Sequence, residues 1–316
     1  MDIPIQMPQI LGADFKPAEI STLGEPCEPF EELSFFKMMD VFFNKAYAFE
    51  EDGANAFLLK DITELFELRA AVLACRRLEV PVIPILNIDS DTEENVFGKE
   101  LGYLITLQSL NISAIGFEVN PDSDLDDVYY IVKDILKFSE VPLYIKLTDK
   151  MDSGNLPLKI KRFLDLCQVT FDCSGLSDEK VQIVKEAIEK YAPVDREKED
   201  TSMVAANHVQ AFFLNPEQIT LSPAIDIGYD MAEELLDFDD ELYNVITVEI
   251  NTHDNGFYLS QNLHWLELPV MFKADTEEAL RMALCYYHGR ALVDSTSLID
   301  SENIKSLAKE FGAIMY

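Results

Sequence analysis

The fold class is decided by residues 56–88, AFLLKDITELFELRAAVLACRRLEVPVIPILNI. Both ends of this stretch, 56–59 and 82–88, are short apolar runs of the composition that buried parallel strands have. Between them, apolar residues recur at steps of three and four over residues 63–78, which predicts an amphipathic helix. The stretch is therefore predicted to form one strand–helix–strand unit of a parallel sheet.

The same alternation continues along the chain. Further strands are predicted at 114–119, 143–147, 169–173, 245–250, 270–273 and 290–294, with helices at 98–110, 125–138, 158–166, 178–191, 277–287 and 301–311. Counting from Ala56 gives eight strands if the extended segments near residue 215 are an insertion, and about ten if they are not. The predicted fold is α/β of the (β/α)8 TIM-barrel type, either as a complete barrel or as a hybrid or truncated one.

One stretch breaks this alternation. Residues 193–202 (PVDREKEDTS) open with a proline and are dense in charge, which predicts a linker between segments 1–192 and 203–316. The second segment is expected either to complete the barrel begun by the first or to form an incomplete unit of its own. The proline-rich first 50 residues are predicted to be irregular up to a helix that begins near Glu31.

The chain is strongly acidic. Its 316 residues hold 25 Lys+Arg against 58 Asp+Glu, a formal net charge of −33, and no basic stripe interrupts this excess. Such a surface repels phosphodiester backbones and anionic lipid headgroups, so neither nucleic acid nor a membrane is expected as a partner.

The cysteines and the start of the chain indicate the compartment. Five cysteines, odd in number and widely spaced, favour a reducing environment, and the first residues lack the pattern of a signal peptide. The expected location is the cytoplasm.

Several stretches of the first segment are similar to one enzyme family. They are DGANAFLLKDITELFELRAAVLACR (52–76), VPVIPILNIDSD (80–91), SAIGFEVNPD (113–122) and QVTFDCSGLSDEKV (168–181). Together they resemble the homocysteine S-methyltransferase barrel of cobalamin-dependent methionine synthase, over residues 9–190. The resemblance implies a TIM barrel that transfers a methyl group to homocysteine.

The tail resembles a different part of the same enzyme, its methyltetrahydrofolate-binding barrel. The similar stretches are NVITVEIN (244–251), ELPVMFKADTEEALRMALCYYHGRALVDSTS (267–297) and SLAKEFGAIMY (306–316). This resemblance implies a pterin-binding second segment, and a corrinoid or methionine-synthase protein as a partner.

The zinc ligands that the resemblance implies are largely missing. In the family, three cysteine thiolates hold a zinc ion that activates the homocysteine sulfur. The matching positions here are Val119, Cys173 and Ser174. Valine has no lone pair and a neutral serine hydroxyl is a poor zinc ligand, so zinc is not an expected cofactor and Cys173 is a weak metal candidate. The more frequent role for such a cysteine is a buried apolar thiol.

The substrate positions depart from the family as well. The acidic residue that contacts the amino group of homocysteine matches Lys60, which reverses the charge. On the pterin side Asn251 is kept, Asp294 replaces an asparagine, and Lys273 lies near the position of the pterin-holding aspartate. Binding of methyltetrahydrofolate is therefore less disfavoured than the zinc chemistry.

Binding groups of barrels lie at the carboxyl ends of the strands. The polar residues that end predicted strands, and are the candidate ligand-binding residues, are Lys60, Asn87, Glu118, Lys146, Asp172, Asn251, Lys273 and Asp294. Mixed lysines and carboxylates suit a zwitterionic amino acid or a pterin-like ligand, because each buried charge then meets an opposite one. The alternative is that these groups pair with one another and close the mouth.

Two further constellations are weaker metal candidates. Glu118, Asp149 and Asp172 end strands and form a possible cation site, although so acidic a chain places carboxylates at strand ends by chance. His253 and His264 lie eleven residues apart, a spacing that matches no compact ligand motif.

The expected function is that of a methionine-synthase-like pseudoenzyme, a binding or regulatory protein that has lost zinc-dependent methyl transfer. The alternative is an active methyltransferase that holds a metal with Cys173 and donors such as Asp172 or Glu118, or that works with a separate corrinoid protein. Metal content and homocysteine binding distinguish the two.

Overall fold

The computed structural model describes most of the chain. The described residues are 5–23, 34–87, 96–118, 125–149, 154–191, 199–228, 231–232, 242–252 and 254–316. They divide into two compact units, each assembled from three segments of the chain. Unit 1 is formed by Met1–Leu23, Met39–Glu100 and Asn111–Glu199, and unit 2 by Gly24–Met38, Leu101–Leu110 and Asp200–Tyr316.

Unit 1 contains a seven-stranded, wholly parallel sheet. Its strands are β1 (Ile10–Leu11), β2 (Pro17–Ile20), β3 (Ala56–Leu59), β4 (Val82–Asn87), β5 (Ile115–Glu118), β6 (Leu143–Lys146) and β7 (Val169–Asp172), in the order β1-β7-β6-β5-β4-β3-β2. The helices that alternate with them along the chain are α1 (Ser34–Glu51), α2 (Leu65–Cys75), α3 (Val96–Gln108), α4 (Leu125–Val132), α5 (Leu156–Leu164) and α6 (Asp178–Lys190). This alternation confirms the predicted α/β class.

The sheet is curled, and a short connection joins its two edge strands. β1 pairs with β7, whereas β2 pairs with β3 at the opposite end of the strand order. Only residues 12–16 join β1 to β2, a connection that spans at most about 20 Å. The two edges of this curled sheet, which is called the ring below, therefore lie within about 20 Å of each other. The ring is a truncated barrel, one of the forms that the sequence predicts.

The two faces of this sheet carry different clusters. Helices α4, α5 and α6 pack with strands β6 and β7 around an apolar cluster that includes Phe163, Phe171 and Val184. The opposite, inner face holds a second cluster, made of Leu11, Phe15, Ala56, Leu58, Ile83, Ile85, Ala114 and Tyr144. Its members come from five of the seven strands or the residues next to them, as expected for the interior of a barrel.

A glycine makes room inside this ring. A Cβ atom added at Gly116 would lie 2.5 Å from Ile85 Cδ1 and 3.3 Å from Tyr144 Cδ1. The larger side chains of the two neighbouring strands thus occupy the space over β5.

Unit 2 contains a five-stranded parallel sheet. Its strands are β10 (Ile225–Asp226), β11 (Ile246–Ile250), β12 (Val270–Ala274), β13 (Leu292–Val293) and β14 (Ile314–Met315), in that order. The helices that connect them are α7 (Asp254–Asn262), α8 (Glu277–Tyr286) and α9 (Ser301–Phe311). Each of the two sheets takes its strands from one unit alone.

An antiparallel hairpin covers part of the inner face of the unit 2 sheet. Its strands are β8 (Val204–Ala206) and β9 (Ala211–Phe213). Ala205 packs in one cluster with Val245, Met271 and Leu292 of the sheet. The Arg290 side chain holds the hairpin in place, because it donates to the carbonyl oxygens of residues 201, 204 and 312.

The structure corrects several predicted elements. Residues 10–11 and 17–20 are strands, although the residues before about Glu31 were expected to be irregular. The predicted helix 125–138 ends at Val132 and is followed by a separate 3-10 turn. The helix α7 and the strand β8 were not predicted. Most of the predicted linker lies outside the described residues.

Across the described part of the chain, no helix combines the length and the apolar character needed to cross a membrane.

Candidate functional site

Five of the eight candidate residues end strands of the unit 1 sheet. They are Lys60, Asn87, Glu118, Lys146 and Asp172. Asn87 is paired with Glu118, Lys146 with Asp172, and Asp172 with Leu11 of the inner cluster. Residues paired across neighbouring strands project from the same face of a sheet. The five side chains therefore project toward the inside of the ring at its carboxyl end.

The floor of this mouth is a buried hydrogen-bonded pair. The Tyr144 hydroxyl donates to Asp172 Oδ2 over 2.7 Å, and the backbone N–H of Ser174 donates to Asp172 Oδ1 over 2.9 Å. Asp172 is 1% exposed, so both carboxylate oxygens meet a donor away from water. Burial raises the pKa of Tyr144 well above its usual value, and the hydrogen bond to Asp172 and the charges of Asp172 and Glu19 add to the shift. The phenol therefore stays neutral.

The rim above this floor carries charges of both signs. Lys60 Nζ lies 3.4 Å from Glu118 Oε2, and the two side chains are 25% and 36% exposed. Lys146 is exposed to solvent. A ligand at this mouth would therefore meet one rim carboxylate and two ammonium groups above the hydrogen-bonded Tyr144–Asp172 pair.

The loop after β3 has an unusual backbone. Asp61 adopts a positive φ of 56°, a conformation that costs a non-glycine residue energy. Its carboxylate accepts a hydrogen bond from Asn87 Nδ2 over 3.3 Å, which ties the loop to the end of β4. Strained backbone of this kind recurs at binding sites.

The cation site predicted from three carboxylates is wrong. Asp149 Oδ1 accepts from the backbone N–H of Ser177 over 3.1 Å and lies 3.7 Å from Lys180 Nζ, at the start of α6. Asp149 therefore contacts the start of α6, whereas Glu118 and Asp172 lie on the inner face of the sheet. Among the described residues, no three His, Cys, Asp or Glu side chains are arranged to hold a metal ion.

Cys173 lies outside the mouth. It is 2% exposed and packs with Leu147, Phe171 and Val184 in the apolar cluster beneath the helices. Burial, with a smaller effect of the Asp172 charge, raises the pKa of the thiol to about 11. A neutral thiol in an apolar cluster does not fit a zinc site, which needs a thiolate. The matching position Val119 lies outside the described residues.

The other three candidates belong to unit 2. Lys273 Nζ donates to Glu249 Oε1 over 3.0 Å, and this hydrogen bond and the charge of Glu249 raise the pKa of the lysine. Asp294 Oδ1 accepts from the backbone N–H and the hydroxyl of Thr296, both over 2.7 Å. Asn251 is exposed, and its backbone N–H donates to Asn255 Oδ1. The eight candidates thus end strands of two separate sheets.

The histidine pair predicted as a weak metal candidate is described only in part. His264 lies beside Trp265, with ring centroids 4.9 Å apart, and His253 lies outside the described residues.

Sequence reasoning missed the residues that lie one step inside the sheets. Tyr144 precedes Lys146 by two positions on β6, and Thr247 precedes Glu249 by two positions on β11. Because side chains alternate along a strand, each shares a face with the residue that follows it by two. This two-residue alternation could have predicted that Tyr144 and Thr247 share a face with the candidate residues.

Comparisons with known proteins do not assign this chain to a family. No family model matches the chain, and no curated protein is similar to it. Among solved structures, it is similar to (S)-3-O-geranylgeranylglyceryl phosphate synthase from Thermoplasma acidophilum, with 11% identity over 56% of this chain and 93% of that one and a TM-score of 0.24. A dihydropteroate synthase from Coxiella burnetii shows 11% identity, 98% and 93% coverage and a TM-score of 0.23. One from Xanthomonas albilineans shows 9% identity, 97% and 92% coverage and a TM-score of 0.22. Scores of this size do not establish a shared fold. The function of this chain is therefore inferred from its side chains.

Proposed function

We propose that the carboxyl end of the unit 1 ring binds a small zwitterion of the amino-acid class. In this proposal the chain is a methionine-synthase-like binding or regulatory protein that has lost zinc-dependent methyl transfer. The observation that carries it is the inward-facing rim, where Lys60, Glu118 and Lys146 place both signs of charge above the Tyr144–Asp172 pair.

The charges suggest how such a ligand would lie. Glu118 is 36% exposed and is the carboxylate that a ligand ammonium would meet. Lys146 is exposed on the neighbouring strand β6 and would meet the ligand carboxylate. Lys60 pairs with Glu118 when the mouth is empty, so a ligand ammonium would compete with Lys60 for this carboxylate.

Two features favour a binding role over zinc chemistry. Cys173 is directed into an apolar cluster with a raised pKa, and Lys60 stands where the resembled family has an acidic residue. Methyltetrahydrofolate and a corrinoid are the other ligands that the resemblance implies, so they belong in the same test.

The test is a screen of L-homocysteine, L-methionine, methyltetrahydrofolate and cobalamin by thermal shift, followed by titration calorimetry. A ligand present at about 100 times its dissociation constant stabilises the folded chain by about 2.7 kcal/mol. We expect an amino acid to bind, and Glu118→Gln and Lys146→Ala each to weaken the binding about tenfold. The matched control is Lys305→Ala, which removes an exposed lysine of an i,i+3 pair on α9 and should leave the binding unchanged.

The outcomes separate the possible functions. Amino-acid binding that persists in a chelator, on protein with well under one zinc per chain, supports the proposal. Binding that needs a metal would favour the active methyltransferase instead. Absence of binding by all four compounds would leave only recognition of a partner protein.

A further inference from the structure

A row of charged side chains crosses the carboxyl end of the unit 2 sheet. Register pairs Asp226 with Glu249 and Glu249 with Lys273, and the pair Phe272–Val293 places Asp294 beside Lys273. Lys273 is neutralised by Glu249, whose Oε1 lies 3.0 Å from the ammonium nitrogen. Asp226 and Asp294 therefore leave an excess of negative charge in this row.

Asp226 and Glu249 are direct neighbours of the same sign. Like charges opposite each other on paired strands destabilise a sheet, and the single lysine of the row lies on the far side of Glu249. A cation between the two carboxylates would remove this repulsion.

A second, independent feature lies just below this pair. Thr247 precedes Glu249 by two residues on β11, so its side chain is on the same face, next to its register partner Met271. Thr247 is only 5% exposed, and within the described residues its hydroxyl oxygen has no hydrogen-bond partner. A buried hydroxyl without a partner costs about 1–3 kcal/mol, so the site lacks a group that hydrogen-bonds to it.

The chemistry of the missing group follows from these neighbours. The site offers two carboxylates and one hydroxyl, and among the described residues no third His, Cys, Asp or Glu joins them in a metal-ligating group. Adjacent parallel strands lie about 4.8 Å apart, so one ammonium group can contact both carboxylates while a neighbouring polar group reaches the hydroxyl.

We propose that the inner face of the unit 2 sheet at Asp226, Thr247 and Glu249 binds a small organic cation that carries an ammonium group and an adjacent hydroxyl or carbonyl group. This site is independent of the zwitterion site in unit 1, because none of its residues belongs to the unit 1 sheet.

The test is titration calorimetry of the whole chain with ethanolamine, which carries both groups. The titrations are made at about 150 mM NaCl, which screens nonspecific attraction to the acidic surface. Ethylene glycol and MgCl2 are the comparators, since they supply the hydroxyl alone and the charge alone. We expect one ethanolamine per chain, no binding of ethylene glycol, and no displacement of ethanolamine by equimolar Mg²⁺.

Variants locate the binding. Asp226→Asn should weaken ethanolamine binding about tenfold, and Thr247→Val about threefold or more, whereas Thr247→Ser keeps the hydroxyl and should restore it. Glu278→Gln makes the same charge change as Asp226→Asn at an exposed position of α8 and should have no effect. Unfolding curves verify that each variant is folded. The proposal is overturned by no binding at about 20 mM ethanolamine, by equal binding in the Asp226→Asn or Thr247→Val variant, or by displacement with Mg²⁺.

Discussion

Tyr144 and Asp172 illustrate how single residues set the properties of the unit 1 mouth. A buried carboxylate is tolerated only when its oxygens accept hydrogen bonds, and Asp172 receives one from the phenol and one from the backbone N–H of Ser174. Burial, together with the hydrogen bond to Asp172, raises the pKa of the phenol, so the floor of the mouth joins a carboxylate to a neutral hydroxyl.

Replacing Tyr144 with phenylalanine should destabilise the chain. The variant leaves Asp172 Oδ2 buried without its donor, which costs about 1–3 kcal/mol of the free energy of unfolding. Tyr130→Phe is the control, because Tyr130 is 59% exposed and should change stability by less than about 0.5 kcal/mol. Urea unfolding curves measure both, and equal stability of the two variants would contradict a structural role for the phenol.

Gly116 should be intolerant of alanine. The added methyl group would approach Ile85 Cδ1 to 2.5 Å, and overpacking of this kind costs about 1–3 kcal/mol. Gly175→Ala, where nothing lies within 4 Å of the added atom, should be nearly neutral in the same assay. Adding Ile85→Val to Gly116→Ala should restore part of the loss, and a double variant less stable than Gly116→Ala alone would argue against this contact.

The reactivity of Cys173 tests its position in the apolar cluster. Its thiol is 2% exposed with a pKa near 11, so little thiolate exists at pH 8 and iodoacetamide should modify it slowly. Cys167 is only partly buried and should react first. Because the raised pKa keeps the neutral form dominant, labelling of Cys173 should accelerate as the pH rises toward 11. Mass spectrometry of peptides measures both rates. If Cys173 reacts as fast as Cys167 at pH 8, its thiol is not buried in the apolar cluster.

At the scale of elements, helices α6 and α9 differ in whether the residue before the helix caps it with a side-chain hydrogen bond. The Asp300 side chain accepts from the backbone N–H of Glu302 at the start of α9, whereas Ser177 precedes α6 without a side-chain cap. Asp300→Ala should therefore lower the free energy of unfolding by about 1 kcal/mol, and Ser177→Ala should have little effect. Chemical denaturation compares the two, and a larger loss from Ser177→Ala would reverse the assignment.

Strands and helices were predictable where the sequence has a long apolar run or apolar residues at helical spacing. Strands β3 to β7 and the helix Ser301–Phe311 fall where the sequence predicts them. The strands β1 and β2 are only two and four residues long, the second begins with Pro17, and their strand character comes from pairing with distant strands. Local composition does not contain that information.

The candidate site was predictable to the same extent. Lys60, Glu118 and Lys146 lie at strand ends as the sequence predicts, and their role in binding stays a prediction. The Tyr144–Asp172 bond and the Lys60–Glu118 pair depend on strand register, which no local pattern specifies. The division of the eight candidates between two sheets follows from which strands pair, and that too is a long-range property.

At the scale of the whole molecule, net charge should govern the response to salt. A formal charge of −33 repels itself in the compact state, and added salt screens this repulsion. The midpoint of thermal unfolding should therefore rise between about 20 mM and about 500 mM NaCl. Glycerol is uncharged, so at equal osmolality it controls for the exclusion of cosolutes from the protein surface. A midpoint that falls with salt would indicate that ion pairs such as Arg281–Glu310 outweigh the repulsion.

The pairing of β1 with β7 also bears on the order in which the chain folds. Ile10 pairs with Phe171, and roughly half of the chain lies between them. During synthesis β1 leaves the ribosome long before its partner exists, while the partner of β2 follows much sooner. Contacts between residues so distant in sequence form late, because the intervening loop must first be closed. Pairing of β1 with β7 is thus expected to be the slow step, and β1 in the nascent chain stays without its partner strand until β7 has been made.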